Sequence, residues 1–178
     1  FVHDLNKVAT KASKVFALAK IESGTDIVVV ADPSASTTMI SPRMFEQFAL
    51  PYIKDVLSAV QKTKAIPSLH ICGQTTPILE KMVETGAKIL EVDYQVNLKE
   101  AKQKIGSKVC IQGNVKPTGA LLEGNYNEVL SEARKCLEDA AVGGGFILST
   151  GCEVPYETKI ENTMALVEAA TRYGKYAK

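Results

Sequence analysis

PSLHICGQTTPILEKMVETGAKILEVD, residues 67–93, carries the reading of the fold. Pro67 to Cys72 is an apolar run of strand length, Thr76-Pro77 opens a helix that runs to about Thr85, and Gly86 closes it. Lys88 to Asp93 is the next strand. Strand, helix and strand with no hairpin turn between them make a crossover unit, so the two strands are expected to be parallel.

Outward from this unit the pattern repeats. Toward the N-terminus, Leu5, Val8, Ala12, Val15, Phe16 and Ala19 recur at three- and four-residue steps, which predicts an amphipathic helix from Asp4 to about Glu22 closed by Ser23-Gly24. Asp26 to Ala31 is a continuous apolar run that suits a strand buried on both faces. Ser41-Pro42 reads as a helix start, and the helical pattern from Arg43 to about Lys64 contains Pro51, where a break or kink is expected. Toward the C-terminus, Leu98 to Ile105 is a short helix and Val109 to Gln112 a strand running into Gly113-Asn114. After a loop through Gly124, Asn127 to about Val142 is a helix, Phe146 to Ser149 a strand and Thr158 to about Tyr173 the closing helix. Five alternations of this kind predict a parallel α/β fold. Two architectures fit: an open doubly wound sheet, and part of a (β/α)8 barrel. Both gather chemistry at the carboxyl ends of the strands.

Composition narrows the function classes. At 178 residues, 46% hydrophobic and 23% charged, the chain is long enough for a full core, and one domain over residues 1–178 is expected. Lys plus Arg number 21 against 20 acidic residues, a formal charge of +1, with no basic stripe, so nucleic acid is not an expected partner. No apolar run reaches the ~20 residues of a membrane span and the N-terminus lacks a signal-peptide core, so a cytoplasmic, non-membrane protein is expected. Cysteines at 72, 110, 136 and 152 do not resemble a secreted disulfide framework; reduced thiols or metal ligation fit better. Phe1 is not a start methionine, so the chain is expected to be a piece of a longer protein or a processed one. No G-x-G-x-x-G or Walker A sequence follows a strand, which leaves nucleotide binding without support.

The strand ends hold the candidate residues. Positions i and i+2 of a strand face one way, so His70 and Cys72 offer a nitrogen and a sulfur to one point, and Gly73 lets the chain turn away. That is a pair of zinc ligands lacking a third. Cys152, beside Gly151 and after the apolar run that ends at Thr150, is the third candidate. A lone His-x-Cys pair more often reflects packing, and it is the second site at an equivalent strand end that favours metal. Asp32, Ser36, Asp93, Asn114 and Glu153 also stand at strand ends. Cys110 within a strand and Cys136 within a helix read as core, His3 as part of an exposed terminus, and lysines 99, 102, 104 and 108 as solvated surface.

Five stretches carry a family resemblance: DPSAS, ISPRMFEQFALPYIK, LHICGQTTPILEKMVETGAKILEVD, IQGNVKP and ILSTGCEVPYETKIENTMALVEAA. With them the chain resembles the uroporphyrinogen decarboxylase superfamily, and within it the zinc-dependent methylcobamide:coenzyme M methyltransferases. SPRMFEQFALPYIK places it in the superfamily; His-x-Cys-Gly with a distant Gly-Cys is the methyltransferase version, a set that the metal-free decarboxylases do not keep. The resemblance implies a TIM barrel whose last five β/α units are these, with three units missing before Phe1. It implies transfer of a methyl group from methylcob(III)amide, carried on a corrinoid protein, to the thiol of coenzyme M. It also implies Zn2+ on His70, Cys72 and Cys152, with the substrate thiol as fourth ligand. Glu91, Asp93 or Glu153 could fill that position in the empty enzyme, Asp93 being preferred. Asn114 is a candidate anchor for polar groups of the substrate, or else a turn cap. An uncovered edge strand would favour association into a homo-oligomer. The competing readings are a metal-free lyase of the decarboxylase type and a non-catalytic module that binds a corrinoid protein.

Overall fold

Pro51 sits inside a helix, and the way the helix absorbs it shows how the first part of the chain is built. The computed structural model describes residues 1–176. In chain order the elements are α1 (Val2–Glu22), β1 (Ile27–Ala31), α2 (Pro42–Met44), a π-helical segment (Phe45–Ala49), α3 (Leu50–Gln61), β2 (Ile66–Ile71), α4 (Leu79–Glu84), β3 (Ile89–Val92), α5 (Leu98–Ile105), β4 (Cys110–Val115), α6 (Ala120–Glu123), α7 (Tyr126–Ala140), β5 (Phe146–Thr150) and α8 (Ile160–Tyr173). All strands belong to one sheet in the order β1-β2-β3-β4-β5. A doubly wound sheet reverses its order at a switch point; strands that follow chain order, each after its own helix, are the layout of consecutive barrel units. The fold is a parallel five-stranded sheet with alternating helices, matching part of a TIM barrel.

The chain divides into two compact units, Phe1–Leu90 and Glu91–Lys178. In the first, Ser41 caps α2, its Oγ accepting from the Met44 N–H at 3.2 Å, with Pro42 at the first helical position. A proline ring crowds the carbonyl four residues back and supplies no N–H. The turn before Pro51 is widened instead of broken: the Leu50 N–H reaches the Phe45 carbonyl, five residues back. Asn6 of α1 donates to the Phe48 carbonyl in this segment at 2.7 Å, and His3 Nδ1 lies 2.8 Å from the Tyr52 hydroxyl, so α1 grips the widened turn.

Two burial expectations change. α1 packs on α3 through the side that carries Thr10 and Ala17, with Ala17, Val28, Val60 and Ala65 in one cluster. Small side chains let the helix approach closely. The larger apolar side chains lie off this contact, with Val8 70%, Val15 65% and Phe16 64% exposed among the described residues. β1 stands at the edge of the described sheet, where Val28 meets the helices and, among the described residues, Ile27 and Val29 are 43% and 44% exposed.

In the second unit α7 packs against α8. α7 starts one residue earlier than its expected start at Asn127, because Asn125 caps it in a reciprocal box with Glu128. The loop expected through Gly124 holds the short α6, and buried Asn162 of α8 donates to the Leu121 and Gly124 carbonyls at 2.9 and 3.1 Å. Gly143, Gly144 and Gly145 all have positive φ, 80°, 78° and 67°, a run that only glycine takes without strain. Lys102 is no mere solvated lysine: its ammonium donates to the Gly144 carbonyl.

Candidate functional site

β2 ends at Ile71, one residue after His70 and one before Cys72, so strand alternation sends both side chains to one face. His70 Nε2 lies 3.1 Å from Cys72 Sγ, and both side chains are half-buried. Two ligands of one tetrahedral zinc, at about 2.05 Å for nitrogen and 2.3 Å for sulfur, stand roughly 3.5 Å apart. The pair fits that chemistry with a small outward movement. In the β1–β2 register His70 faces Ala31, whose methyl group leaves room beside the imidazole.

The turn after Cys72 is held by the loop after β1. A side chain at Gly73, with φ of +75°, would meet the Ser36 and Thr38 hydroxyls at 2.8 and 2.9 Å. Those hydroxyls lie 2.8 Å apart, Ser36 is buried, and Thr37 Oγ1 donates to the Gln74 carbonyl. Gln74 Oε1 in turn accepts from the Thr76 N–H at 3.0 Å. Of this polar bracket the sequence reading found Ser36 alone; the signal for the rest is the run of hydroxyl residues 36–38 directly after a strand.

In the second unit Cys152, half-buried, follows β5 and Gly151. The Gly151 N–H continues the ladder onto the Val115 carbonyl at 2.8 Å, and Thr150 Oγ1 donates to the Cys152 carbonyl at 2.7 Å. Gly151 has to be glycine, since a Cβ there would collide with the backbone of Asp93 and Tyr94, coming within 3.1 Å of Tyr94 Cα. Asp93 is buried at the end of β3; its Oδ1 accepts from the Gln95 N–H at 3.0 Å. Asn114, also buried, donates to the Asp93 carbonyl at 3.0 Å and to the Val96 carbonyl at 2.7 Å. Asp93 and Asn114 thus come together, with the amide hydrogens of Asn114 engaged by the turn after β3. Cys136 is buried in α7 and half-buried Cys110 opens β4; burial pushes both thiols up, away from the thiolate form.

Parallel β/α units in chain order define the class, a barrel-type fold, and an imidazole, thiols and a carboxylate stand at the strand ends, where barrels of this type gather their chemistry. The chain belongs to the uroporphyrinogen decarboxylase family, whose profile matches residues 1–173. It is 35% identical over 158 residues to the methylcobamide:CoM methyltransferase MtbA of Methanosarcina mazei, covering 89% of this chain and 45% of that protein. It is 33% identical over 167 residues to MtaA of Methanosarcina barkeri, covering 93% and 47%. A uroporphyrinogen decarboxylase of Trichodesmium erythraeum is 35% identical over 159 residues, covering 89% and 43%. A solved structure of a methyltransferase from Methanosarcina mazei superposes with a TM-score of 0.86 at 34% identity, covering 95% of this chain and 48% of that one. The chain spans about half the length of the curated relatives it matches. Among the described residues no helix is long and apolar enough to cross a membrane.

Proposed function

We propose that this chain belongs to a zinc-dependent methyltransferase that moves a methyl group from a methylated corrinoid protein to the thiol of coenzyme M. The observation that carries the reading is the 3.1 Å pairing of His70 Nε2 with Cys72 Sγ at the end of β2. Sequence identity does not separate the two kinds of relative, since MtbA and the Trichodesmium decarboxylase are both 35% identical. The ligand chemistry favours the methyltransferase. His70, Cys72 and Cys152 are each half-buried and each offers one ligand atom, the makings of a metal-holding group. Three protein ligands with a fourth position left to substrate is the catalytic zinc pattern.

His70 would enter as a neutral imidazole and Cys72 and Cys152 as thiolates, so the protein donors cancel the charge of the ion. Bound there, zinc would hold the substrate sulfur as a thiolate at a pH where a free thiol, with a pKa of about 8.5, keeps its proton. Asp93 is the carboxylate proposed for the fourth position before substrate arrives. Thiolate ligands also suit a reducing, cytoplasmic setting. A metal-free lyase is the second reading, favoured by the decarboxylase relative.

Metal analysis of the purified chain tests the proposal. About one zinc per chain is expected, with most of it lost in each of His70→Ala, Cys72→Ala and Cys152→Ala and kept in Cys110→Ala and Cys136→Ala. Equal loss from all four cysteine variants would contradict the ligand assignment and point to folding effects, whereas no zinc in the unmutated chain would put the lyase reading ahead.

A further inference from the structure

We infer that Asn114 is a positioning residue: through one amide it fixes the turn after β3, and through that turn the strand end that presents Cys152. The inference rests on the zinc site proposed above. Residues 93–96 form a tight turn closed by the Val96 N–H on the Asp93 carbonyl at 3.0 Å, with the Asp93 carboxylate bracing the Gln95 N–H from inside at 3.0 Å. Asn114 Nδ2 donates to both carbonyls that bound this turn, Asp93 at 3.0 Å and Val96 at 2.7 Å. Its Oδ1 faces the Cys136 thiol of α7, with sulfur at 3.7 Å. A thiol donor on one side and two carbonyl acceptors on the other allow the amide one orientation. Exchanging its oxygen and nitrogen would set acceptor against acceptor at both carbonyls.

The turn is also the wall against which Cys152 is placed. Gly151 lies against the backbone of Asp93 and Tyr94 so closely that no side chain fits. Its N–H is fixed to Val115, the residue that follows Asn114 on β4. Asn114 therefore sets where Asp93 begins its turn and where the chain of Cys152 can pass. Losing the amide would leave the buried Val96 carbonyl without its donor, so the turn would shift to find water. Cys152 would move with it, while His70 and Cys72, held by the bracket after β1, would not.

Cobalt(II) substitution tests this without any activity measurement, because the sulfur-to-cobalt charge-transfer intensity counts bound thiolates. The unmutated chain should show two. In Asn114→Ala the intensity should fall toward that of one thiolate and the cobalt affinity should drop roughly ten- to a hundredfold, the usual effect of losing a group that orients a ligand. Asn114→Asp keeps the size and the acceptor for Cys136 but loses both N–H bonds; it should behave alike, and it carries the test if the alanine variant does not fold. Cys136→Ala, which keeps both N–H bonds, should retain two thiolates. A folded Asn114 variant with lower thermal stability but two-thiolate intensity and unchanged affinity would overturn the inference, since the amide would then matter to the fold alone. Absence of cobalt binding in the unmutated chain is a different result: it would remove the metal site itself, and the inference with it.

Discussion

Burial pushes the Cys136 thiol above its ordinary value, with the Asn114 contact opposing the shift, and it does the same at Cys110, where Lys102 opposes it. A raised thiol pKa means that the folded chain holds the proton more firmly than the unfolded one. The stabilisation is complete below the unfolded value of about 8.5 and is lost as pH rises through the folded value. Stability to urea should accordingly decline above about pH 9, and Cys136→Ala should flatten part of that decline; an unchanged slope would assign it to other groups. At this scale the sequence was legible wherever strand alternation decides, as for His70 and Cys72. It was not legible at Asn114, because an amide chooses partners by what the fold brings near, and those partners are 18 to 22 residues away. Lys102, read as solvated, finds the Gly144 carbonyl 42 residues on for the same reason.

Helix ends are set by short-range chemistry, and α7 shows how much one cap contributes. Asn125 Oδ1 accepts from the N–H groups of Asn127 and Glu128 at 3.0 and 3.3 Å, while Glu128 Oε2 accepts from the Asn125 N–H at 2.9 Å. Removing the cap by Asn125→Ala should destabilise the chain by about 1 kcal/mol, with Asn125→Ser recovering most of it. Equal urea midpoints for the alanine and serine variants would show that the cap contributes nothing. The N-x-x-E spacing that announces this box was present in the sequence, yet periodicity alone placed the helix start one residue late, at Asn127. Periodicity likewise found α1 but not its inward face. Small Thr10 and Ala17 pack on α3, and the larger Leu5, Val8, Val15 and Phe16 stay outside. Hydropathy ranks residues by size and greasiness, whereas close helix contact selects smallness.

Across the whole molecule, strict alternation of strand and helix was enough to predict parallel strands, and strand order then chose between the two layouts that alternation allows. The order was beyond local reading because both layouts use the same β/α unit. The exposed apolar side chains of α1 have a further consequence in colloidal terms. The chain carries a formal charge of only +1, with an isoelectric point near 7.8. Mutual repulsion between molecules is thus weakest in slightly alkaline buffer, where exposed valines and phenylalanine are left to govern encounters. Light scattering should show a solubility minimum around that pH and recovery on either side. Val15→Glu with Phe16→Glu should lift the minimum and move it toward acid, because the pair removes sticky surface and adds two negative charges at one place.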